Sequence, residues 1–223
     1  MIPSAHTIAL LLADARLPSG GYAFSSGLEP ALQGGLAPDE VSAFLQARAR
    51  TTTMVDAATA VVARAAGIRG AAFAPVERAW AARTPSRATR QASRELGRGL
   101  QRLATTLWPG SSPITALQSE NESWSRPVVL GVVAAHAGLD PESLVRLAVY
   151  DDMACAVAAF LKLEPGDPID GVRLVIDACA SVDTFTTQLA ALTSPEAIPT
   201  ASAPQSEMWA EAHALTNRRL FRA

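Results

Sequence analysis

Apolar residues recur every three or four positions along most of the chain, a spacing that predicts α-helices. The clearest case begins after Thr84-Pro85-Ser86 and ends at Trp108-Pro109-Gly110. Its apolar face comprises Ala92, Leu96, Leu100, Leu103 and Leu107. Its polar face carries Arg87, Arg90, Arg94, Arg98 and Arg102. At 3.6 residues per turn the two sets lie on opposite sides, so this stretch is predicted to be an amphipathic helix.

Prolines beside acidic residues mark three further helix starts, which are Pro38-Asp39-Glu40, Asp140-Pro141 and Asp167-Pro168. This arrangement is typical of the first helical turn. The helix from Pro141 to about Leu163 is apolar nearly all round, so we predict it in the centre of a bundle. The helix from Pro168 is predicted to continue to about Leu192, and residues 111–125 are expected to form a polar loop.

The composition agrees with a helical fold, since no segment alternates apolar and polar residues as a half-buried strand does. Hydrophobic residues make up 49% of the chain and aromatic residues only 5%, and alanine is the commonest apolar type. Small apolar side chains favour closely packed helices over a sheet. We predict an all-α fold, a single-domain bundle of roughly eight to ten helices that spans residues 1–223.

A proline- and serine-rich segment near the C-terminus, Thr193 to Gln205, precedes a last helix that starts at Ser206. The segment lacks the apolar periodicity needed for packing, so we predict that it is flexible. The helix after it, together with the basic C-terminal tail, is then predicted to be a docking element for a partner.

The cellular compartment follows from what the chain lacks. No Lys or Arg precedes the apolar run Ile8 to Ala13, so this run does not fit a secretory signal. The apolar segment around Val128 to Leu139 is shorter than a membrane span. Cys155 and Cys179 lie far apart and are expected to be free thiols, and the net charge is −2. These features predict a cytoplasmic protein.

The stretch Leu17–Pro30 interrupts the helical pattern near the N-terminus. Pro18 fixes its own φ and favours an extended Leu17, which ends any helix before it. Gly20 and Gly21 permit positive φ angles and a close approach of the backbone. Two aromatic residues and two serines follow. The spacing alone fits either a surface turn between two helices or a shaped recognition loop.

No motif in the chain predicts catalysis, a cofactor or a metal centre. The sequence contains no phosphate-binding loop and no dinucleotide fingerprint. His6, His136 and His213 are not at ligand spacing. Asp151 and Asp152 interrupt an apolar helix, but adjacent helical residues point about 100° apart and do not form a shared-proton pair. We therefore predict that the protein is not an enzyme and has no catalytic, cofactor-binding or metal-binding residue.

Arginines outnumber acidic residues nine to two between Arg64 and Arg102. Such a run is usually a solvated helix face. It also fits binding to an acidic protein surface. As an alternative function, it fits a helical nucleic-acid-binding regulator that uses the Arg87–Arg102 face. Aromatic residues for stacking on bases are sparse in this region, which favours a protein partner.

Four stretches of the chain resemble, in the same order, the urease accessory protein F family. The first joins Leu17-Pro18-Ser19-Gly20-Gly21-Tyr22 to Ser26-Gly27-Leu28-Glu29, and the second joins Ser93-Arg94 to Gly97-Arg98. The third is Arg126-Pro127-Val128-Val129-Leu130-Gly131, and the fourth is Arg219-Leu220-Phe221. Each stretch alone is weak, but together the four are specific.

The resemblance implies an all-helical cytosolic protein that dimerises and catalyses no reaction. Members of the family bridge urease accessory protein D, called H in some species, and the GTPase accessory protein G. That assembly regulates GTP hydrolysis and guides nickel into apo-urease. The chain is therefore expected to be a urease maturation scaffold whose partners are these accessory proteins and apo-urease, without nucleic acid or membrane.

The same resemblance, with Tyr22 and Phe24 added as aromatic anchors of the loop, predicts a set of partner-binding residues. They are Pro18, Gly20, Gly21, Tyr22, Phe24, Ser26, Gly27 and Glu29 in the N-terminal motif, Arg94 and Arg98 in the central helix, and Arg218, Arg219 and Phe221 in the tail. Some members have histidines where this chain has Tyr22 and Phe24, so nickel binding is not expected there. The chain also has Ala212-His213-Ala214 where the family has arginine-histidine-glutamate.

Overall fold

Helices account for nearly all of the regular structure. The computed structural model describes residues 3–120, 123–217 and 220–221. Its helices are α1 (Ala5–Leu12), α2 (Leu28–Gln33), α3 (Val41–Ala49), α4 (Thr52–Arg69), α5 (Ala74–Ala82), α6 (Arg87–Leu107), α7 (Ser112–Ser119), α8 (Arg126–Ala137), α9 (Pro141–Leu163), α10 (Pro168–Ala180), α11 (Thr186–Ala190) and α12 (Pro204–Ala214). Ten of the twelve have at least eight residues, and the described ranges contain no strand. The predicted all-α fold is confirmed.

Side-chain caps fix the helix starts that the sequence indicates. The Asp140 carboxylate accepts a hydrogen bond from the Ser143 N–H at 2.9 Å, and Asp167 accepts one from the Ile169 N–H at 2.8 Å. A proline occupies the first helical position in both cases, where a backbone N–H would have no acceptor within the helix. The Ser86 hydroxyl caps α6 in the same way. The predicted starts of α6, α9 and α10 are therefore confirmed.

The core is continuous and centres on α4, which packs against α8 and α9. A Cβ atom at Gly131 of α8 would lie 2.2 Å from the Ala60 carbonyl oxygen of α4, so the close contact of these helices requires glycine. Helix α9 has a long buried face, but Arg146 and Tyr150 leave one edge exposed. The central position is thus shared by α4, α8 and the inner face of α9.

Three predicted boundaries differ from the structure. The helical apolar spacing of Val41, Phe44 and Leu45 resumes at Met54 and continues to Val62, which predicts one helix, but Thr51 with φ −120° and ψ −95° separates α3 from α4. The expected polar loop at 111–125 contains α7, because Ile114 and Leu117 are each buried to 1% exposure. Helix α10 ends at Ala180 and a separate short helix follows. In α7 the burial of Ile114 and Leu117 outweighs the polar character of the surrounding sequence.

The segment from Thr193 to Gln205 lies along α5. Ile198 within it is only 2% exposed. Arg83 donates a hydrogen bond to the Ile198 carbonyl at 2.8 Å, and Arg69 donates one to the Thr193 carbonyl at 3.0 Å. Any movement of the segment has to break these contacts, and its predicted flexibility stays a prediction.

Candidate functional site

The N-terminal loop, defined as residues 17–27, has a backbone that few side chains tolerate. Gly20 has φ 90° and Gly27 has φ 79°, both in the left-handed region. Ser26 also lies there with φ 50°, which is unusual for a residue with a side chain. Gly21 does not share this conformation and instead starts a short 3-10 turn. Steric freedom at glycine is therefore needed at Gly20 and Gly27.

The loop is seated on helix α9 and helix α6. The carbonyl oxygens of Phe24 and Gly21 lie 3.4 Å and 3.8 Å from the Cys155 sulfur of α9. Burial raises the pKa of this thiol. The Ser19 carbonyl meets Gly99 of α6, where a Cβ atom would come within 2.2 Å of it. The loop is thus held between two helices.

A buried ion pair lies beneath the loop. Arg48 donates two hydrogen bonds to the Asp152 carboxylate, at 2.9 Å and 3.0 Å, and the Thr53 hydroxyl donates a third. Burial alone would raise the pKa of Asp152, but Arg48, Thr53 and the Ser26 hydroxyl together lower it. Charged hydrogen bonds of this kind are strong and directional. They connect α3, α4 and α9 directly below Ser26.

A second set of polar groups lies beside this ion pair, beneath the loop. Arg126 at the start of α8 forms an ion pair with Asp151, so the two adjacent aspartates pair with different arginines. Asp56 accepts a hydrogen bond from the Trp80 indole N–H at 2.8 Å. Burial raises the pKa of Asp56 to about 7. A cavity of about 260 Å³ lies between these polar groups and the loop.

Glu29, at the start of α2, joins the two ends of the chain. Its side chain is 3% exposed. It accepts hydrogen bonds from the backbone N–H groups of Leu220 at 2.7 Å and Phe221 at 2.8 Å. The His213 Nε2 lies 3.2 Å from the same carboxylate, and the Gln33 amide donates to it at 3.1 Å. The C-terminal tail and the N-terminal motif therefore meet at one carboxylate.

Helix α12 brings the tail to this position. Its Glu207 accepts a hydrogen bond from the Ser86 N–H at 2.6 Å, and its Glu211 accepts one from the Ala88 N–H at 2.9 Å. These two carboxylates cap the N-terminus of α6, where the helix dipole favours negative charge. The Trp209 ring covers Gly34, leaving no room for a side chain there. Helix α12 is therefore held against α6 by Glu207 and Glu211, and against Gly34 by Trp209.

The arginine face of α6 divides into inward and outward residues. Arg94 donates a hydrogen bond to Glu77 at 3.0 Å, and the other Glu77 oxygen accepts one from the Ser125 N–H at 2.9 Å. A Cβ atom at Gly97 would lie 2.1 Å from the Trp124 carbonyl oxygen. Arg98 stays exposed. The motif on α6 thus serves mainly to hold α6 against the start of α8.

The structure separates the residues predicted to bind a partner into three groups. Exposed or half-exposed are Pro18, Gly20, Gly21, Tyr22, Ser26, Gly27, Arg94 and Arg98. Buried are Phe24, Glu29 and Phe221. Arg218 and Arg219 lie outside the described residues. The N-terminal loop and Phe221 come together at the cavity, whereas Arg98 lies apart beside Ser123.

Sequence reasoning missed Arg48 and Asp56, and it named Arg126 only as part of a family stretch and not as a site residue. Each is a polar residue in or beside an apolar helical stretch, a pattern that signals a buried partner. The same signal drew notice to Asp151 and Asp152, but it does not identify the arginines that pair with them.

The part of the chain that the structure describes has no helix that is both long enough and apolar enough to cross a membrane. Its His, Cys, Asp and Glu side chains nowhere form a group of three arranged to hold a metal ion.

Comparisons with known proteins place these features in a family. The UreF family model matches residues 37–179. The chain belongs to the UreF family. A Urease accessory protein UreF from Mycobacterium sp. (strain JLS) is 42% identical over 166 residues, covering 72% of this chain and 75% of the relative. A protein of the same name from Mycobacterium marinum is 36% identical over 228 residues, covering 96% and 98% of the two chains.

UreF proteins are accessory proteins of urease, and the chain accordingly acts in urease maturation and is not an enzyme. The family-model match leaves out the N-terminal loop and the C-terminal tail. The similarity to the Mycobacterium marinum UreF covers nearly the whole chain. Family membership does not favour the alternative of a nucleic-acid-binding regulator.

Proposed function

We propose that the chain is a non-catalytic scaffold that bridges urease accessory proteins D (or H) and the GTPase G during GTP-dependent nickel insertion into apo-urease. Membership of the UreF family supports this proposal, since the family acts in urease maturation. The proposal includes a cytoplasmic location and a homodimer within the complex. Nickel is cargo of the assembly here, and no resident metal site is invoked.

The observation that carries the proposal is that residues of the N-terminal loop and Phe221 of the tail line the same cavity. Tyr22 is 72% exposed and Leu220 is 66% exposed, although the segments that bear them are held by buried and partly buried hydrogen bonds. Exposed aromatic and aliphatic side chains on a fixed backbone are typical anchors of protein interfaces. We infer that this surface receives an accessory partner.

The arginine face of α6 provides less support for the alternative function. Arg94 is engaged by Glu77, and Arg90 donates hydrogen bonds to the carbonyls of Thr84 and Pro85. Fewer cations are therefore available for phosphate contacts than the sequence suggests. An acidic protein surface suits the remaining exposed Arg87, Arg98 and Arg102 equally well.

A pull-down with co-expressed accessory proteins tests the proposal. We expect Tyr22→Ala to keep the fold and to reduce capture of the partner and urease activation at least tenfold, because an interface anchor is lost. Ile68→Ala, which truncates another side chain exposed to 59%, is the matched control and should have no effect. Undiminished capture by Tyr22→Ala would contradict the assignment of this surface.

A further inference from the structure

Ser26 has a backbone conformation that its own side chain makes unfavourable. Among the described residues it is the only one other than glycine with a positive φ, and Gly27 beside it is left-handed as well. In this region the Cβ atom of an L-residue comes too close to a backbone carbonyl oxygen, so the loop by itself would favour another conformation. Contacts from outside residues 25–27 therefore have to select this backbone.

The first of these contacts come from one face of helix α9. Asp152 and Cys155 are three residues apart on this helix and so lie on the same side of it. The Ser26 hydroxyl forms hydrogen bonds with the side chains of both residues. The Phe24 carbonyl oxygen lies 3.4 Å from the Cys155 sulfur. Helix α9 thus contacts the loop on both sides of Ser25.

The Asp152 carboxylate is oriented by groups that do not belong to the loop. Arg48 of α3 donates two hydrogen bonds to it, and the Thr53 hydroxyl of α4 donates another. Arg48 also lies directly beneath the loop, since a Cβ atom at Gly27 would be 3.4 Å from its Nη1 atom. The side chains of Arg48 and Asp152 are only 13% and 19% exposed. The carboxylate is therefore fixed, and Ser26 has to match it.

We propose that Asp152 is a positioning residue that selects the conformation of the N-terminal loop through the Ser26 hydroxyl. The hydrogen bonds of this hydroxyl to Asp152 and Cys155 offset the cost of the left-handed backbone. Tyr22 follows Gly21, whose carbonyl oxygen lies 3.8 Å from the Cys155 sulfur, so the same face of α9 positions its exposed ring. This inference rests on the proposed function only for what the loop binds.

The neighbouring Asp151 provides a matched control. It forms an ion pair with Arg126, and its side chain is 27% exposed. In both Asp152→Asn and Asp151→Asn a largely buried arginine loses its charged partner, so the general cost in stability is similar. The contact with Ser26 belongs to Asp152. We expect hydrogen exchange of residues 17–28 to accelerate about tenfold in Asp152→Asn and to stay unchanged in Asp151→Asn. Equal exchange in the two variants would overturn the proposal.

Two substitutions at Ser26 cover the case in which Asp152→Asn does not fold. Ser26→Ala removes the hydroxyl and keeps the unfavourable φ, whereas Ser26→Gly removes both. We compare them in a chain that also carries Cys179→Ser, so that Cys155 beneath the loop is the only thiol. The rate at which iodoacetamide labels Cys155 then reports opening of the loop.

We expect Ser26→Ala to be labelled about tenfold faster than the natural loop, and Ser26→Gly to stay within about threefold of it. Burial raises the pKa of the Cys155 thiol and the Ser26 hydroxyl lowers it, so loss of the hydroxyl from a closed loop would slow labelling. Faster labelling therefore reports exposure of the thiol. A natural rate in Ser26→Ala would overturn the proposal, and so would equally fast labelling of Ser26→Gly.

A double-mutant cycle separates positioning from a general structural role. Glycine at position 26 adopts the left-handed backbone without help, so Asp152→Asn should accelerate exchange of the loop less in Ser26→Gly than in the natural chain. Equal acceleration in both chains would mean that Asp152 only stabilises the bundle, and the proposal would fail.

Partner capture distinguishes this inference from the proposed function. An open loop in Ser26→Ala with about a tenfold loss of capture supports the inference in full. An open loop with undiminished capture would show that the selected conformation is not the one that binds, and would overturn the inference. If the natural chain captures neither accessory protein, the proposed function fails, while labelling and exchange still decide whether Asp152 positions the loop.

Discussion

The N-terminal loop and helix α6 both carry residues of the family motif, but they use them differently. In the loop, Gly20 has a left-handed backbone and a Cβ atom there would meet nothing within 4 Å. In α6, Gly97 has an ordinary helical backbone, and a Cβ atom would strike the Trp124 carbonyl. Glycine therefore sets the shape of the loop, whereas in α6 it sets the distance between two segments.

The charged residues of the two regions differ in the same manner. Arg94 of α6 is tied to Glu77, which in turn accepts the Ser125 N–H at the start of α8. The ion pair of Arg48 and Asp152 lies under the loop, whereas the Tyr22 side chain on the loop is exposed to solvent. A charged residue can thus hold two helices together or support an exposed surface, and substitutions should distinguish the two roles.

The largest expected effect is that of Gly97→Ala. The nearest atoms belong to the backbone of Trp124 and Ser125, which cannot move without displacing α8. We expect a loss of about 3 kcal/mol in the free energy of unfolding, measured by urea denaturation. Gly166→Ala, at a site with open space and no positive φ, is the control and should change stability little. Equal stability of the two variants would mean that α6 and α8 are not in close contact.

Glu77→Gln should have the next largest effect. The substitution weakens the hydrogen bonds to both Arg94 and the Ser125 N–H in a buried setting, so we expect a loss of about 2 kcal/mol. Adding Arg94→Ala should cost less than it does in the natural chain, because the two residues act as a unit. The exposed Arg98 is the control, since Arg98→Ala should stay within about 0.5 kcal/mol of the natural chain. Additive losses from Glu77→Gln and Arg94→Ala would contradict this role.

The sequence predicts the helices well because their signals are local. The Ser86 cap and the apolar spacing of α6 lie within one stretch of chain, and so do Asp140 and the body of α9. The sequence predicts the buried face of α6 less well. Only Leu100 of its predicted apolar face is buried, and Leu107 is 47% exposed. Small residues allow closer approach than large ones, so Gly97 faces the neighbouring segment although it carries no apolar side chain.

The candidate site is less predictable because its members are distant in sequence. Arg48 and Asp152 are separated by 104 positions, and Glu29 and Phe221 by 192. No local pattern records such a pairing. The resemblance identified Glu29 as a motif residue, yet only the packed structure reveals that it faces the tail. Motif membership therefore locates the region of the site but not the role of each side chain.

Asp56, beneath the loop, predicts a smaller effect that depends on pH. Its pKa of about 7 in the folded chain exceeds the ordinary value of 3.8, mainly because of burial. The folded state then binds more protons than the unfolded state between these pH values, so stability falls as pH rises toward and through 7. We expect a loss of at most about 1.5 kcal/mol between pH 6 and pH 8.

Urea unfolding at both pH values checks this, with Asp56→Asn as the comparison. The asparagine keeps an oxygen for the Trp80 N–H but does not titrate. It should therefore lose the dependence on pH and be the more stable variant at pH 8. The same slope in both chains would assign the titration to another group.

The smallest expected change in stability is at the glycine pair of the loop, and it sharpens the contrast with α6. Gly20→Ala forces a side chain into the left-handed region and should cost about 1 kcal/mol, whereas Gly21→Ala should cost less than about 0.5 kcal/mol. Neither new Cβ atom meets a neighbour within 4 Å, so the bundle should keep nearly its natural melting temperature. Urease activation on co-expression should nevertheless collapse for Gly20→Ala, because relaxing φ turns Tyr22 away from its position. Gly166→Ala, which lies outside the loop at a site with open space and no positive φ, serves as the control and should activate normally. If Gly20→Ala also activates normally, the loop is only a connection between α1 and α2. If the substitution unfolds the chain, Gly20 is required for the fold, as Gly97 is.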